Sequence, residues 1–267
     1  MNGFWVVLIA ALRGFLRDRV LHALLGFALL LLVLAPVFSL FSMRQVQELS
    51  TTVALSAISL TLLVLAVMLG GFSVWRDVER RYTASVLGLP IPRSSYLLGK
   101  FAAVAVVLMS TSIFLGFVSL VSVHIAASFY PPDRSLDLMN FMAAIAACSL
   151  KYILLSAFAL LFSSLSTSFF LPVFGSLAVY LAGGATQEVV EYVTGPSAQS
   201  LSNSLITTVK GLYYLLPNFA AFDLSFQAIY GIPLSVEGLL LTFGYFLVYT
   251  SLLLLLACYC LARREFP

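Results

Sequence analysis

Long apolar runs separated by short polar breaks organise this chain. A helix needs about 20 mostly apolar residues to cross a bilayer. Six stretches meet that length or approach it: 20–42, 53–74, 96–125, 139–161, 169–184 and 234–261. The fifth is the shortest, and its start can lie as early as 163–168. Ahead of the first run, Trp5, Leu8, Ile9, Leu12 and Leu16 recur at helical spacing, with Arg13 and Arg17 off that face. The pattern predicts an amphipathic helix over 4–17, lying in the membrane interface as the core of an N-terminal segment 1–19. The competing reading is an N-terminal extension of the first span.

The sharpest break is 76–95. It opens with Arg76, Asp77, Val78, Glu79, Arg80, Arg81 and Tyr82 and runs to Leu89, Pro90, Ile91, Pro92 and Arg93. Residues 78–87 suit a short helix. Gly88 is placed to end it, Pro90 and Pro92 prevent its continuation, and Ser94 or Ser95 can cap the next span. The product is a rigid elbow with a charged tip. A loop whose charges only set topology is the plainer alternative, but it would not need a helix, a stop and a rigid turn.

Composition agrees with the runs. The chain is 61% hydrophobic and 9% charged, with mean hydropathy +1.06. Soluble domains carry roughly 25% charged residues, so there is too little polar surface here to face water all round. The net charge of +3 is therefore no sign of nucleic-acid binding. Where the charges fall matters more. Arg13, Arg17, Arg19, Arg76, Arg80, Arg81, Arg93, Lys100, Arg263 and Arg264 all fall on one side of a six-span chain, ten of its 14 basic residues. Arg44, Arg134 and Lys210 fall on the other. Basic loops stay cytoplasmic, which predicts cytoplasmic termini, a cytoplasmic 76–95 loop and residence in the cell membrane. The expectation is one all-α integral membrane domain over 1–267, with lipid as its surroundings. The first basic residue, Arg13, follows the first apolar stretch, the reverse of a secretory signal.

Little else offers chemistry. Cys148, Cys258 and Cys260 lie in apolar runs and read as small core residues, not disulfides or metal ligands. His22 and His124 sit near span ends. No Ser/His/Asp set, His-Glu-x-x-His or metal-ligand spacing occurs, so no catalytic residue, metal site or enzyme activity is expected of this chain. Gly70-Gly71 and Ser110-Thr111-Ser112 suit close helix packing. The segment 185–233, about 50 residues long, is too short and apolar for a separate external domain. Leu201, Leu205, Val209 and Leu212 form a helical stripe there, and a re-entrant course over 205–230 is open. Lys151 lies some ten residues into the fourth run, where a charge costs at least about 2.5–3.5 kcal/mol. It either faces a translocation path, meeting an anionic substrate or an acid such as Glu237, or it snorkels to a surface.

The run from Arg80 to Arg93, followed by Leu97-Leu98-Gly99-Lys100, resembles the first cytoplasmic loop of the type-2 ABC transporter permeases, in which Thr, Leu, Pro and Arg stand in the order of Thr83, Leu87, Pro90 and Arg93 here. The run 161–168 resembles the family's tight turn between spans four and five, and the run Leu215-Leu216-Pro217-Asn218-Phe219 with Phe222-Asp223 is similar to an external segment of the branch that holds permeases of multicopper-enzyme maturation systems. The family often carries a Glu-Gly-Thr-like run where this chain has Arg81-Tyr82-Thr83.

The resemblance implies a six-helix permease subunit of an ATP-driven exporter, paired with a second permease copy. Its cytoplasmic coupling helix would be seated on a separate ABC ATPase that binds ATP and Mg. The coupling contacts it implies are Arg76, Asp77, Glu79, Arg80, Arg81, Tyr82, Thr83, Leu87, Pro90 and Arg93. This chain lacks G-x-x-x-x-G-K-[ST] and so cannot cradle nucleotide phosphates itself. Two other readings stay open: an ATPase-coupled membrane assembly factor that moves no substrate, and an ion-coupled secondary carrier. The carrier would need acids deep in its spans and shows none; it is weakened further by the absence of an internal repeat.

Overall fold

The computed structural model describes residues 3–42, 45–79, 92–129, 136–194, 211, 213 and 216–263. Among these residues there are eight α-helices: α1 (Gly3–Leu16), α2 (Arg19–Ser39), α3 (Val46–Glu79), α4 (Arg93–Phe129), α5 (Leu138–Leu165), α6 (Phe170–Thr194), α7 (Ser225–Tyr230) and α8 (Val236–Arg263). A 3-10 turn, Ala220–Phe222, precedes α7. Among the described residues there is no strand. Helices α2, α3, α4, α5, α6 and α8 are each long and apolar enough to span a bilayer. This is an all-α, multi-pass membrane protein.

Helix ends follow local side-chain chemistry. Asp18 caps α2 by accepting the Val20 N–H at 3.0 Å. Asp137 caps α5 by accepting from Met139 at 2.9 Å and Asn140 at 3.4 Å. Ser235 receives the Gly238 N–H at the start of α8. Between α5 and α6, Ser166 Oγ accepts the Ser168 N–H and Ser168 Oγ accepts the Phe170 N–H, which makes the tight turn expected over 161–168. In a bilayer these satisfied termini matter, because no water reaches an orphaned backbone group.

Apolar side chains fill the interior of the bundle and cover its outside as well. Helix α5 is the axis, with residues 152–161 all buried against α3, α6 and α8. The peripheral α8 exposes Leu240, Leu241, Val248, Leu252 and Leu255 instead. Without a hydrophobic drive between spans, close approach and interhelical hydrogen bonds hold them together. A Cβ added at Gly70 would meet Ala159 Cβ at 2.9 Å and the Ser156 carbonyl at 3.0 Å, so α3 and α5 touch nearly backbone to backbone. Ser112 and Ser149 hydroxyls meet at 2.6 Å between α4 and α5. Ser122 donates to the Leu32 carbonyl. Ser163 donates to the Gly71 carbonyl and accepts the Trp75 N–H. The Gly-Gly pair, Thr111 and Ser112 thus serve the packing anticipated for them, while Ser110 is exposed and bonds only the Val107 carbonyl of its own helix.

α1 is the separate helix expected ahead of the first span, broken from α2 by a turn at Arg17 and Asp18. Its protein-facing edge carries Val7, buried against Gly99 of α4, while Trp5, Ile9 and Leu16 of the apolar stripe are exposed on the outside of the bundle. The apolar surface of α1 is broad, and glycine at 99 lets the Phe4–Val7 edge come closest. Details elsewhere differ from expectation. α6 runs ten residues past the predicted 184, so 185–194 belongs to a helix and not to a loop. The stripe from Leu201 to Leu212 lies outside the described residues. Residues 216–230 pack onto the bundle, burying Phe219, Phe222 and Ala228. There Phe219 N–H donates to the Gly183 carbonyl, and a side chain at Gly183 would strike the Pro217 carbonyl at 2.5 Å.

Candidate functional site

The start of α2, the end of α3, the start of α4 and the end of α8 meet at one end of the bundle, called here the basic end. Residues 80–91 connect α3 to α4 at this end. Both stems of that connection are clamped. Asp77, near the end of α3, takes an ion pair from Lys100 Nζ at 2.5 Å and a hydrogen bond from the Tyr96 hydroxyl at 2.7 Å, both on Oδ2. Lys100 also donates to the Ser73 carbonyl and stands 5.1 Å from the Tyr96 ring centre. Lys100 and Tyr96 are buried, and the Asp77 side chain keeps 29% exposure. A charge-assisted hydrogen bond in such a place contributes about 1.5–3 kcal/mol, so this joint is stiff.

Two further contacts extend the clamp. Arg76 Nη1 pairs with Asp18 Oδ2 at 3.1 Å, tying α3 to the α1–α2 corner. Burial pulls the Asp18 carboxyl upward, but the Val20 N–H and the Arg76 charge outweigh it and hold the group below its ordinary value of 3.8. On the other stem, Arg93 Nη1 donates to the Leu261 and Ala262 carbonyls at 3.1 and 3.0 Å. Those carbonyls end α8, where the helix dipole favours a cation. His22 Nδ1 lies 2.9 Å from the Asp18 carbonyl oxygen and completes the α2 corner.

Of the residues expected to couple to a partner, Arg76, Asp77 and Arg93 are therefore engaged within the chain. Glu79 is the last residue of α3, while Arg80, Arg81, Tyr82, Thr83, Leu87 and Pro90 lie outside the described residues, as does the rest of the predicted 78–87 helix. Lys100 counts among loop cations in the sequence, yet the structure buries it in α4. The signal for this was available: Arg93, Tyr96 and Lys100 stand at i, i+3 and i+7, one face of one helix, turned toward the end of α3.

The second place of interest is Lys151. It is 13 residues beyond the start of α5 at Leu138 and 14 before its end at Leu165, so the side chain arises at mid-helix. Its Nζ stands 5.6 Å from the Tyr152 ring centre and 5.4 Å from that of Tyr180 on α6. The Tyr152 hydroxyl meets Ser59 Oγ of α3 at 2.5 Å and the Tyr180 hydroxyl at 3.3 Å. Tyr152 is fully buried, while Lys151, Ser59 and Tyr180 are half-buried. Phe219 covers this group from the end opposite the basic one, its ring 6.0 Å from that of Tyr180.

Lys151 and Glu237 do not form an ion pair. Glu237 is exposed in the first turn of α8, at the end where α5 begins, and 13 helical residues rise about 20 Å. Among the described residues no carboxylate stands within ion-pair distance of Lys151, and no group of three His, Cys, Asp or Glu side chains could hold a metal. Cys148, Cys258 and Cys260 are free thiols.

No protein-family model matches this chain, and no curated protein matches it.

Proposed function

We propose that the chain is the membrane-spanning permease subunit of an ATP-driven exporter of the type-2 ABC class, with both termini and the 80–91 connection on the cytoplasmic side. The observation that carries this reading is the clamp at the basic end. A connection that receives force from a soluble ATPase must hand it to the spans without loss. Here Asp77, Lys100 and Tyr96 lock the two stems together, Arg76 passes load to the α1–α2 corner, and Arg93 passes it to α8. A push on residues 80–91 would move α3 and α4 as one lever. The positively charged tip, Arg80 and Arg81, is left for the ATPase, which supplies the ATP and Mg chemistry.

The described acids support this over an ion-coupled carrier. Glu48, Asp77, Glu188, Glu191 and Glu237 all stand within the first or last two turns of their helices, Asp18 and Asp137 cap helix starts, and Asp223 lies outside the spans on the segment that packs over Cys148, whereas a proton relay needs carboxylates deep in the spans. The test is purification in mild detergent after crosslinking in the native membrane, with mass spectrometry of what co-elutes. The expected result is a near-equal amount of a protein carrying G-x-x-x-x-G-K-[ST], lost on Arg80→Glu with Arg81→Glu. Ala84→Pro should instead keep the partner bound but uncouple ATP hydrolysis from movement of substrate. Recovery of the chain without such a protein overturns the reading.

A further inference from the structure

A lysine in the middle of an apolar bundle needs an electrostatic partner. Lys100 shows what a satisfied one looks like: a carboxylate, a carbonyl and a ring surround its Nζ. Lys151 has the rings alone. Two aromatic faces attract a cation, but they do not neutralise it; no carboxylate among the described residues stands within ion-pair distance, and Asp223 shares with Lys151 only a common neighbour, the Cys148 thiol.

The hydroxyls beside it are arranged for an acceptor. Ser59, Tyr152 and Tyr180 form a hydrogen-bonded chain that Ser59 extends to the Cys148 thiol, and Tyr180 at its other end stands with an ammonium that can donate three hydrogen bonds. Lys151, Ser59 and Tyr180 are half-buried, so they are reachable from outside the bundle, Tyr152 is fully buried, and the spans that carry them are apolar. A cation and a hydroxyl donor set in an apolar wall form a receptor for one kind of ligand: a negatively charged head on a greasy body.

We propose that Lys151, Tyr180, Tyr152 and Ser59 form a binding site for an amphipathic organic anion, such as a carboxylate or phosphate carried on a hydrocarbon chain. That this anion is cargo rests on the exporter reading; that it binds does not. Its source is either an anionic lipid of the membrane or an amphiphilic solute passing through, and the chemistry at Lys151 is the same for both.

The test uses the full chain alone in phosphatidylcholine nanodiscs, with radiolabelled decanoate as probe and empty discs as blank. Saturable binding above the blank is expected. Decyl phosphate should displace the probe, whereas decanol and decyltrimethylammonium should not. Lys151→Met should weaken binding at least tenfold, Lys151→Arg should restore it to within about threefold, and Tyr180→Phe should weaken it a few-fold. Discs with one-third phosphatidylglycerol separate the sources: competition by that lipid identifies a headgroup site, and unchanged binding identifies a solute site.

Displacement by decanol as strong as by decyl phosphate, or wild-type affinity in Lys151→Met, overturns the proposal. The charge selectivity is read on the wild-type chain, so it holds even where a variant misfolds. Binding with no ATPase partner leaves the site standing and removes the exporter; an ATPase partner with no charge-selective binding does the reverse.

Discussion

Two lysines stand in apolar helices of this protein, and their surroundings differ in kind. Lys100, two turns into α4, is buried at 7% exposure and held by Asp77, the Ser73 carbonyl and the Tyr96 ring. Lys151, midway along α5, touches two tyrosine rings and no acid among the described residues. The first is part of the structure's own bonding. The second carries a charge that the fold does not cancel. Burial alone would rank Lys100 as the more unusual residue; the tally of partners ranks Lys151 as the more informative one.

The comparison breaks most severely at the clamp. Lys100→Met removes the cation and leaves Asp77 facing a low-dielectric joint with only the Tyr96 hydroxyl. Removing one member of a buried pair costs about 3–5 kcal/mol, and the partial exposure of Asp77 places this case toward the lower figure. Thermal unfolding in nanodiscs should show the loss. Adding Asp77→Asn should recover part of it, because the double variant leaves no stranded charge. A double variant as unstable as the sum of the singles means that the pair does not act as a unit.

Lys151→Met should move stability the other way or not at all. A mid-membrane cation costs about 2.5–3.5 kcal/mol on insertion scales, and two ring contacts of a half-buried lysine return about 0.5–1 kcal/mol each. Methionine fills nearly the same volume. The expected change in the same unfolding measurement lies between zero and about 2 kcal/mol of stabilisation. A clear destabilisation would make Lys151 a structural residue, and the contrast with Lys100 would vanish.

The sequence carried the existence of six spans, because 20-residue apolar runs are unambiguous at this composition. It carried the turn at 161–168 and the roles of Gly70 and Ser112, whose residue types have few other uses in a span. It did not carry the clamp. Asp77, Tyr96 and Lys100 sit either side of a connection read as an elbow whose charges face a partner, and a count of charges cannot show that an acid, a hydroxyl and a cation fold back on each other. Nor did it carry the extent of α6. Thr186, Gln187, Glu188 and Glu191 look like loop, yet Gln187 bonds Glu191 at 3.0 Å along the helix, and the backbone there continues the ladder begun at Phe170. The pairing of Lys151 with Glu237 failed on distance along the bundle, which no pattern in one dimension encodes.

The smallest expected effect sharpens the comparison at its exposed edge. Asp18 and Arg76 form the outermost contact of the clamp, with the arginine 43% exposed. Such pairs contribute about 0.2–1 kcal/mol, so Asp18→Asn should cost that much and no more, since asparagine still caps α2. The pH dependence follows from the depressed carboxyl. A group bound more weakly by protons when folded stabilises the fold above its unfolded value and loses that contribution as pH falls through the folded one. Wild-type stability should therefore fall relative to Asp18→Asn as pH drops below about 4, with the two converging in acid. Raising salt at pH 7 should narrow the same gap, because this pair is screened, while the deficit of Lys100→Met should persist. A gap at Asp18 that ignores both acid and salt would mean that the corner is held by the cap alone, and that load from α3 reaches α2 through packing instead of charge.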